Sequence, residues 1–257
     1  LPRIFCLAAR NSLINDRIFR KVFYVFKNKE YFFVLNINEY TQMKYYFSAP
    51  EQELPEVIKN GGDIFIDIGA NVGFFSVPAS FVFEKVFSFE PTPHTFQFLC
   101  NNIDNNKIKN IQPVQKALSN AKGVMTLYEN PFNQGGNSLE PFPEGYAESK
   151  NGNTAKIHEV EVTSLDSFFE QYDFSGKKIA MKVDIEGHEL PFLEGAYSFL
   201  SKYRPSVFLE VSLTKHGLND IRKRLPDGFA IFLNNRELTN ESVIKQDSAD
   251  IVIKHKE

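Results

Sequence analysis

The feature that most constrains this chain is an apolar segment that contains one carboxylate and continues directly into a glycine-containing turn. Residues 64–73 read IFIDIGANVG, with Asp67 near the end of the apolar run and Gly69 and Gly73 after it. A run of this kind predicts a parallel strand that is buried on both faces. Glycine lets the chain turn sharply and lets a ligand lie against bare backbone. Because residues 74–77 resemble the first turn of a helix, the segment predicts a strand, turn and helix around a nucleotide-like cofactor.

The residues in the turn indicate which cofactor it binds. The dinucleotide fingerprint G-x-G-x-x-G is missing, since the third position counted from Gly69 is Asn71. The Asp67 carboxylate would also repel a pyrophosphate. S-adenosylmethionine, which carries an ammonium and a sulfonium and no phosphate, suits that carboxylate better. The alternative is a structural turn with an incidental aspartate.

A second apolar segment that ends in an acid strengthens the cofactor interpretation. Residues 86–91 read VFSFEP, so Glu90 follows the glycine turn by about 20 residues, the spacing at which an acid accepts hydrogen bonds from ribose hydroxyls. A carboxylate has two oxygens with which to hold a diol. A solvated strand end is the alternative interpretation of Glu90. Thr92 is expected to cap the helix that follows.

Composition sets the size of the fold and disfavours some partners. The chain has 257 residues, 42% of them hydrophobic, which predicts one α/β domain over residues 61–257 after an N-terminal extension over residues 1–60. The net charge of −3 gives no reason to expect nucleic acid or an anionic membrane as partner. Cys6 and Cys100 are expected to be small buried hydrophobic residues and not a disulfide.

Hydrophobic patterning gives no sign of membrane insertion. Every apolar run is shorter than a membrane span, and residues 1–7 are too short for a secretory signal peptide. We therefore expect a cytoplasmic protein. The oligomeric state is not readable from the sequence.

Strand and helix patterns alternate through most of the chain, which predicts a mostly parallel seven-stranded sheet with helices on both faces. The last two strands have no clear helix between them, which predicts a terminal antiparallel hairpin. The expected strands are 64–68, 86–89, 111–116, 179–183, 206–211, 229–233 and 250–254, and the expected helices are 73–83, 93–104, 189–203 and 217–224.

Two regions depart from this alternation. Residues 18–26 and 31–37 predict a β-hairpin, or a helix followed by a strand, and residues 50–59 predict a short amphipathic helix. After the third core strand, residues 124–128 and 157–163 predict two inserted strands, and residues 164–172 a helix. The polar loop over 131–154 between those strands predicts a mobile lid on the ligand side of the sheet.

A second acidic cluster closes the fourth core strand, where residues 181–189 read MKVDIEGHE. The alternation of a strand puts Lys182 and Asp184 on one face, with Glu186 and His188 in the turn that follows. His188 is a natural general base, and an exposed loop histidine is the equally weighted alternative. Asp184 could instead be the base or orient the substrate. A Mg²⁺ or Ca²⁺ site would need further ligands, so a metal-free site is favoured.

With both clusters identified, the chain resembles the FkbM family of S-adenosylmethionine-dependent methyltransferases. The resemblance extends over about residues 45–215 and rests on FIDIGANVGFFS, FSFEPTP, KALS, GGNSL, VTSLDSF, MKVDIEGHE and RPSVFLEV. It implies a class I methyltransferase (Rossmann-like) α/β fold and methylation of hydroxyl oxygens, often on sugars or related metabolites. The cofactor-binding residues that it implies are Asp67, Gly69, Ala70, Asn71, Gly73, Glu90, Pro91, Ala117, Leu118 and Asp184. The implied catalytic residues are Lys182, Asp184, Glu186 and His188.

The sequence therefore predicts an O-methyltransferase that uses S-adenosyl-L-methionine and acts on a glycan or small-molecule hydroxyl. A hydroxyl acceptor needs a nearby base, and the 181–189 cluster can supply one. The alternatives are a catalytically silent cofactor-binding module and an NAD(P)-dependent oxidoreductase. Acceptor specificity is expected to lie in residues 1–60 and 131–154.

Overall fold

The structure is a computed structural model of the chain and describes residues 19–36, 39–47, 54–130, 133–142, 156–213, 217–239 and 248–256. Within these ranges one large sheet of eight strands forms the centre. From edge to edge its strands are β12 (Arg236–Glu237), β11 (Phe229–Leu233), β13 (Ser248–His255), β10 (Ser206–Ser212), β9 (Ile179–Val183), β3 (Gly62–Ile68), β4 (Phe83–Phe89) and β5 (Ile111–Val114).

The sheet is parallel from β10 to β5 and antiparallel around β13. β13 runs antiparallel to both β10 and β11, which confirms the predicted mixed sheet with an antiparallel end. All seven predicted strands are present. The sheet has one strand more than the predicted seven: β12, a two-residue strand that pairs with β11 at the edge. The third core strand ends at Val114, two residues before its predicted end.

The central strand β3 is buried on both faces, as its apolar sequence requires. Ile64, Ile66 and Ile68 belong to one hydrophobic cluster, and Phe65 belongs to another on the opposite face. Its parallel neighbours fix which polar side chains meet at the strand ends. Asp67 lies in register with Lys182 of β9 and Ser88 of β4.

Helices cover both faces of the sheet, as predicted. The described helices are α1 (Tyr40–Phe47), α2 (Glu56–Lys59), α3 (Ser76–Ala79), α4 (Pro93–Asn105), α5 (Leu165–Phe168), α6 (Glu189–Gly195), α7 (Tyr197–Tyr203) and α8 (Leu218–Arg222). None of these is long and apolar enough to cross a membrane. The helix predicted over 50–59 is present only as α2, and residues 48–53 lie outside the described residues.

Several helices are shorter than the sequence patterns predict. The helix predicted over 73–83 shrinks to α3, since residues 71–75 form the turn and Pro78 has no N–H to donate. The helix predicted over 189–203 is divided at Ala196 into α6 and α7. Just before this break the chain packs closely on residue 119, since a Cβ on Gly195 would lie 2.0 Å from the Ser119 carbonyl oxygen. The predicted helices over 164–172 and 217–224 are reduced to α5 and α8. Thr92 occupies the predicted N-cap position of α4, but its side chain makes no capping hydrogen bond.

The predicted insertion after the third core strand forms a second, three-stranded sheet among the described residues. β8 (Ile157–Thr163) pairs antiparallel with β7 (Gly123–Tyr128) and parallel with β6 (Ala117–Leu118). The predicted lid is described only over residues 133–142, and its other residues, with its predicted mobility, lie outside the described part.

The N-terminal region begins with the predicted hairpin, β1 (Phe19–Phe26) and β2 (Lys29–Asn36). Its buried side chains share a hydrophobic cluster with Phe65 of β3 and Leu99 of α4. The division of the chain at residue 60 stays a prediction, although the hairpin and the main sheet share this core.

Two asparagines of α4 bind the backbone of β2. Asn102 Oδ1 accepts from the Val34 N–H at 2.9 Å, and Asn106 Oδ1 accepts from the Phe32 N–H at 2.9 Å. Asn102 is fully buried and also donates to the Val72 carbonyl oxygen at 3.0 Å. These side chains satisfy backbone groups at a strand edge, which would otherwise be buried without partners.

We expect Asn102→Ala to destabilise the fold by about 1–3 kcal/mol, because it leaves buried backbone groups of β2 and of the glycine turn unpaired. Urea unfolding measures the change. The neighbouring exposed residue provides a matched control: Asn101→Ala should change the free energy of unfolding by less than about 0.5 kcal/mol. Equal effects of the two substitutions would contradict this role for Asn102.

Candidate active site

A cavity of about 560 Å³ opens at the carboxyl ends of β3, β4, β9 and β10. That volume lies within the range of small-molecule sites, and the strand ends are where parallel α/β sheets bind ligands. Of the residues predicted from the sequence, Gly69, Asn71, Glu90, Pro91, Ala117, Leu118, Lys182, Asp184, Glu186 and His188 all line it.

The turn after β3 forms the floor of the cavity and is held against β9. Gly69 has φ +77°, and a Cβ there would lie 1.9 Å from the Asp184 carbonyl oxygen, so the position accepts glycine alone. Asn71 has φ +50° and donates its N–H to Glu90 Oε2 at 3.0 Å. The turn after β3 is thus tied to the end of β4.

Glu90 is a buried carboxylate that organises the side of the cavity at the end of β4, where the sequence predicts the cofactor ribose. Its other oxygen, Oε1, accepts from the Thr92 N–H at 2.9 Å, and the residue is 6% exposed. Burial raises the pKa of the Glu90 carboxyl above its usual range, against the two backbone N–H groups that lower it. The apolar side chains of Phe89, Ala117 and Leu118 line the wall beside it.

Three residues expected to contact the cofactor are placed away from the cavity surface. Asp67 is fully buried and accepts a hydrogen bond from Ser76 Oγ at 2.5 Å. Ala70 is also buried. Gly73 packs against helix α4, since a Cβ there would lie 2.9 Å from Leu99 Cδ1. These three residues support the turn from the side that faces the protein interior. Their positions do not favour direct contact with the cofactor.

Lys182 is a buried cation at the junction of the two halves of the site. Its Nζ donates to the Gly69 carbonyl oxygen at 2.8 Å and lies 3.1 Å from Asp184 Oδ2 and 3.8 Å from Asp67 Oδ1. Burial alone would lower the pKa of Lys182, but Asp184 and Asp67 raise it above its usual value. Lys182 therefore stays charged, and the predicted shared face of Lys182 and Asp184 is confirmed.

Besides Glu90, four acidic residues line the cavity and are here called the acidic wall: Asp184, Glu186, Glu210 and Asp250. Glu210 and Asp250 face each other directly across β10 and β13. Glu186 is open to solvent at the cavity, where partial desolvation and the nearby Asp184 and Glu210 charges raise its pKa to about 8. The Asp184 charge, followed by burial, raises the pKa of Glu210 to about 7, and burial raises the pKa of Asp250.

Helix α1 closes the acidic end of the cavity with Tyr40, Thr41 and Lys44. The sequence argument missed these residues, and it also missed Glu210 and Asp250. The charge of Glu210 within the apolar segment RPSVFLEV was a usable signal, as was Asp250 at the start of the last strand. Nothing in the sequence indicates that α1 reaches the cavity, since that contact depends on tertiary packing.

His188 is buried and bridged, and the predicted alternative of an exposed loop histidine is wrong. It is 3% exposed, with Nδ1 2.7 Å from Glu140 Oε1 and Nε2 2.9 Å from Ser119 Oγ.

Glu189, the next residue, is the first residue of α6 and accepts a hydrogen bond from the Gly187 N–H at 2.7 Å, in line with its predicted place at a helix N-terminus. Within the described residues no group of three potential ligands fits a metal ion, and a metal-free site stays a prediction.

The sequence model of the Methyltransferase FkbM domain matches residues 67–236. This range includes the carboxyl ends of β3, β4, β9 and β10, where the cavity opens, and ends before β13. The chain belongs to the FkbM methyltransferase family. S-adenosylmethionine is the cofactor of such methyltransferases. The oxidoreductase alternative has no further support.

Characterised relatives are similar to only part of the chain. A hexuronic acid methyltransferase, AglP, of Haloferax volcanii is 30% identical over 133 residues, 52% of this chain and 49% of that protein. A tRNA(Phe) aminocarboxypropyltransferase of Methanocaldococcus jannaschii is 32% identical over 66 residues, 25% of this chain and 26% of that protein. The chain therefore spans about half the length of AglP.

Among solved structures, a methyltransferase FkbM from Methylobacillus flagellatus is similar, with a TM-score of 0.47 and 18% identity. The match covers 76% of this chain and 44% of that one.

The acidic wall predicts a stability that depends on pH. Since the folded protein raises the pKa of Glu186 to about 8 and that of Glu210 to about 7, it binds their protons more tightly than the unfolded chain does. The resulting stabilisation is complete below the unfolded-state values and is lost as the pH rises through about 7 to 8. We expect Glu186→Gln and Glu210→Gln to raise the melting temperature at about pH 8.5 relative to wild type and to leave it nearly unchanged at about pH 4.5.

Thermal unfolding across this pH range tests the prediction, with Glu159→Gln, an exposed residue of β8, as the control. If the difference in melting temperature between wild type and each variant were the same at every pH, the prediction would be wrong.

Proposed function

We propose that this chain is an S-adenosylmethionine-dependent O-methyltransferase whose acceptor is a neutral, hydroxyl-rich molecule such as a sugar. One observation carries the proposal: a single cavity joins the Glu90 side, suited to the cofactor, with the acidic wall. Family membership supports methyl transfer, and the acidic wall supports the acceptor class.

The cofactor fits the residues of the Glu90 side. The Glu90 carboxylate can accept hydrogen bonds from a ribose diol, and Ala117, Leu118 and Phe89 offer an apolar wall to an adenine ring. The Lys182 ammonium is bound by protein groups, Asp184 among them. The acidic residues around Asp184 outnumber this one cation, and their negative potential favours a sulfonium and an ammonium. When bound, S-adenosylmethionine supplies an activated methyl group.

The chain itself contributes alignment and proton removal. We infer that Glu186 takes the acceptor proton, because it lines the cavity in the turn after β9, whereas the charge of Asp184 is compensated by Lys182 at 3.1 Å. The pKa of Glu186, raised to about 8, lies close to a working pH, where a general base is most effective. Asp184 and Lys182 then hold the Gly69 turn in place.

The acidic wall favours hydroxyl donors over anions. Carboxyl groups accept hydrogen bonds from hydroxyl groups in either protonation state, whereas an acceptor carboxylate beside Glu186, Glu210 and Asp250 would add to the charge repulsion that already helps to raise the pKa of Glu186 and Glu210. The Haloferax relative is named for a hexuronic acid, and we expect this chain to prefer the neutral counterpart of such a sugar. A phosphate backbone would meet the same repulsion, which disfavours nucleic acid.

We expect Glu90→Gln to weaken S-adenosylhomocysteine binding by about tenfold or more. The amide loses the charge that the Asn71 and Thr92 N–H groups and a ribose diol would bind. Isothermal titration calorimetry measures the affinity, and Glu159→Gln is the matched surface control. Wild-type affinity in Glu90→Gln would mean that Glu90 is not a cofactor ligand.

We expect Glu186→Gln to lower kcat by about 10²–10⁴-fold while S-adenosylhomocysteine affinity stays near wild type, since the variant removes only the base. Wild-type kcat should rise with pH through about 8, as Glu186 loses its proton, and this rise should be absent from the variant. Methyl release from S-adenosylmethionine is the assay.

A panel of acceptors completes the test: neutral monosaccharide glycosides beside the matching uronic acids. The proposal requires methyl transfer to a neutral sugar with a higher kcat/KM than to its uronic acid. Cofactor binding without transfer to any hydroxyl compound would support the silent binding module, and preference for the uronic acids would overturn the acceptor class.

A further inference from the structure

Residues 133–142, here called the strap, contribute four residues to the lining of the cavity and contact three of its walls. Gly135 packs on Thr41 of α1, where an added Cβ would meet Thr41 Oγ1 at 2.3 Å. Asn137 Nδ2 donates to Thr92 Oγ1 at 3.2 Å, next to Glu90. Ser138 Oγ donates to the Glu186 carbonyl oxygen at 2.8 Å. The strap therefore touches α1, the Glu90 side and the turn after β9.

The last contact of the strap is the hydrogen bond between Glu140 and His188, whose Oε1 and Nδ1 atoms lie 2.7 Å apart. Glu140 is partly exposed, with 40% of its side chain open to solvent, whereas the His188 side chain is 4% exposed. On its other side His188 meets Ser119 Oγ, directly after the Ala117–Leu118 strand that lines the cofactor side. One imidazole thus connects the strap, the turn that carries Glu186 and the apolar cofactor wall.

The hydrogen bonds of the ring leave His188 no lone pair for the acceptor. An ionised Glu140 only accepts hydrogen bonds, so Nδ1 must carry a proton and donate it. In the neutral ring Nε2 then accepts from the Ser119 hydroxyl, and in the charged ring both nitrogens are donors. His188 could take a proton from the acceptor only after it broke its bond to Ser119.

We propose that His188 is a positioning residue that holds the strap against the cofactor wall and the Glu186 turn, and that it is not the general base. The proposal rests on the methyltransferase function proposed above. It assigns to the Glu140–His188–Ser119 chain the task of keeping the strap residues Asn133, Asn137 and Leu139 in place as part of the acceptor pocket. Loss of the chain should therefore weaken acceptor binding more than it slows the transfer step.

Two substitutions separate the positioning role from the base role. His188→Asn places an amide N–H near the position of Nδ1, so it can still donate to Glu140, but an amide cannot act as a base. We expect kcat to stay within about fivefold of wild type, with an unchanged pH profile, whereas loss of a general base lowers kcat by about 10²–10⁴-fold. Glu140→Ala breaks the strap contact at a partly exposed position, so the fold is expected to survive even if His188→Asn does not fold.

For Glu140→Ala we expect acceptor KM to rise about tenfold with little change in kcat, the equivalent of one lost charge-assisted hydrogen bond. Hydrogen exchange of the ligand-free variant gives a second readout that needs no activity. The Gly136 and Ser138 N–H groups, bonded to the Asn133 and Tyr128 carbonyl oxygens, should exchange about tenfold faster than in wild type. A strap that exchanges at wild-type rates in Glu140→Ala would overturn the proposal.

The chain offers a matched control in its second histidine–glutamate pair, His158 and Glu129, which lie 3.1 Å apart outside the cavity. Glu129→Ala should leave strap exchange and acceptor KM as in wild type. A drop in kcat of a hundredfold or more in a folded His188→Asn would also overturn the proposal and make His188 the base. Failure of wild-type protein to bind S-adenosylhomocysteine, with strap exchange still accelerated in Glu140→Ala, would instead refute the proposed function and leave the strap contact intact.

Discussion

The site depends on a buried lysine held between two strands. Lys182 reaches the Gly69 carbonyl oxygen, Asp184 and Asp67, and its side chain is 4% exposed. A buried charge is tolerated only when it is paired and hydrogen-bonded, so the positions of these groups are mutually dependent. Removing the ammonium would leave Asp67 and Asp184 as uncompensated neighbouring carboxylates. The same ammonium binds the backbone of the turn on which the cofactor side is built.

That network explains why the two halves of the cavity differ in charge. Lys182 compensates the acids at the ends of β3 and β9, whereas the Asp184 charge helps to raise the pKa of Glu186, Glu210 and Asp250. Like charges arranged directly across two strands oppose folding, and proteins accept such arrangements mainly at functional sites. The acidic wall is therefore better explained by a functional role than by stability of the sheet.

The parts of the chain outside the central sheet complete the pocket. The hairpin β1–β2 packs into the core and is tied to α4 by Asn102 and Asn106, and α1 follows it to the acidic end of the cavity. The strap follows β7 in the sequence and contacts α1 at Thr41. The lining of the cavity is thus shared between two regions that are distant in sequence and lie outside the central sheet.

The sequence by itself determined the strand ends and most of the residues that meet there. Apolar runs ending in Asp67, Glu90 and Asp184 fix strands, because burial on both faces of a parallel sheet demands continuous hydrophobicity, and parallel strands bring their carboxyl ends to one edge. The antiparallel end of the sheet followed in the same way from the missing helix between its last two strands.

Only the tertiary structure decided what each side chain faces. Asp67 turns inward to Ser76 and Lys182, Glu210 and Asp250 meet across β10 and β13, and His188 lies between Ser119 and Glu140. Local patterns encode hydrophobic periodicity, which fixes elements. They do not encode pairings between residues separated by tens of positions along the chain, and these depend on sheet register and on how the insertion folds back over the site.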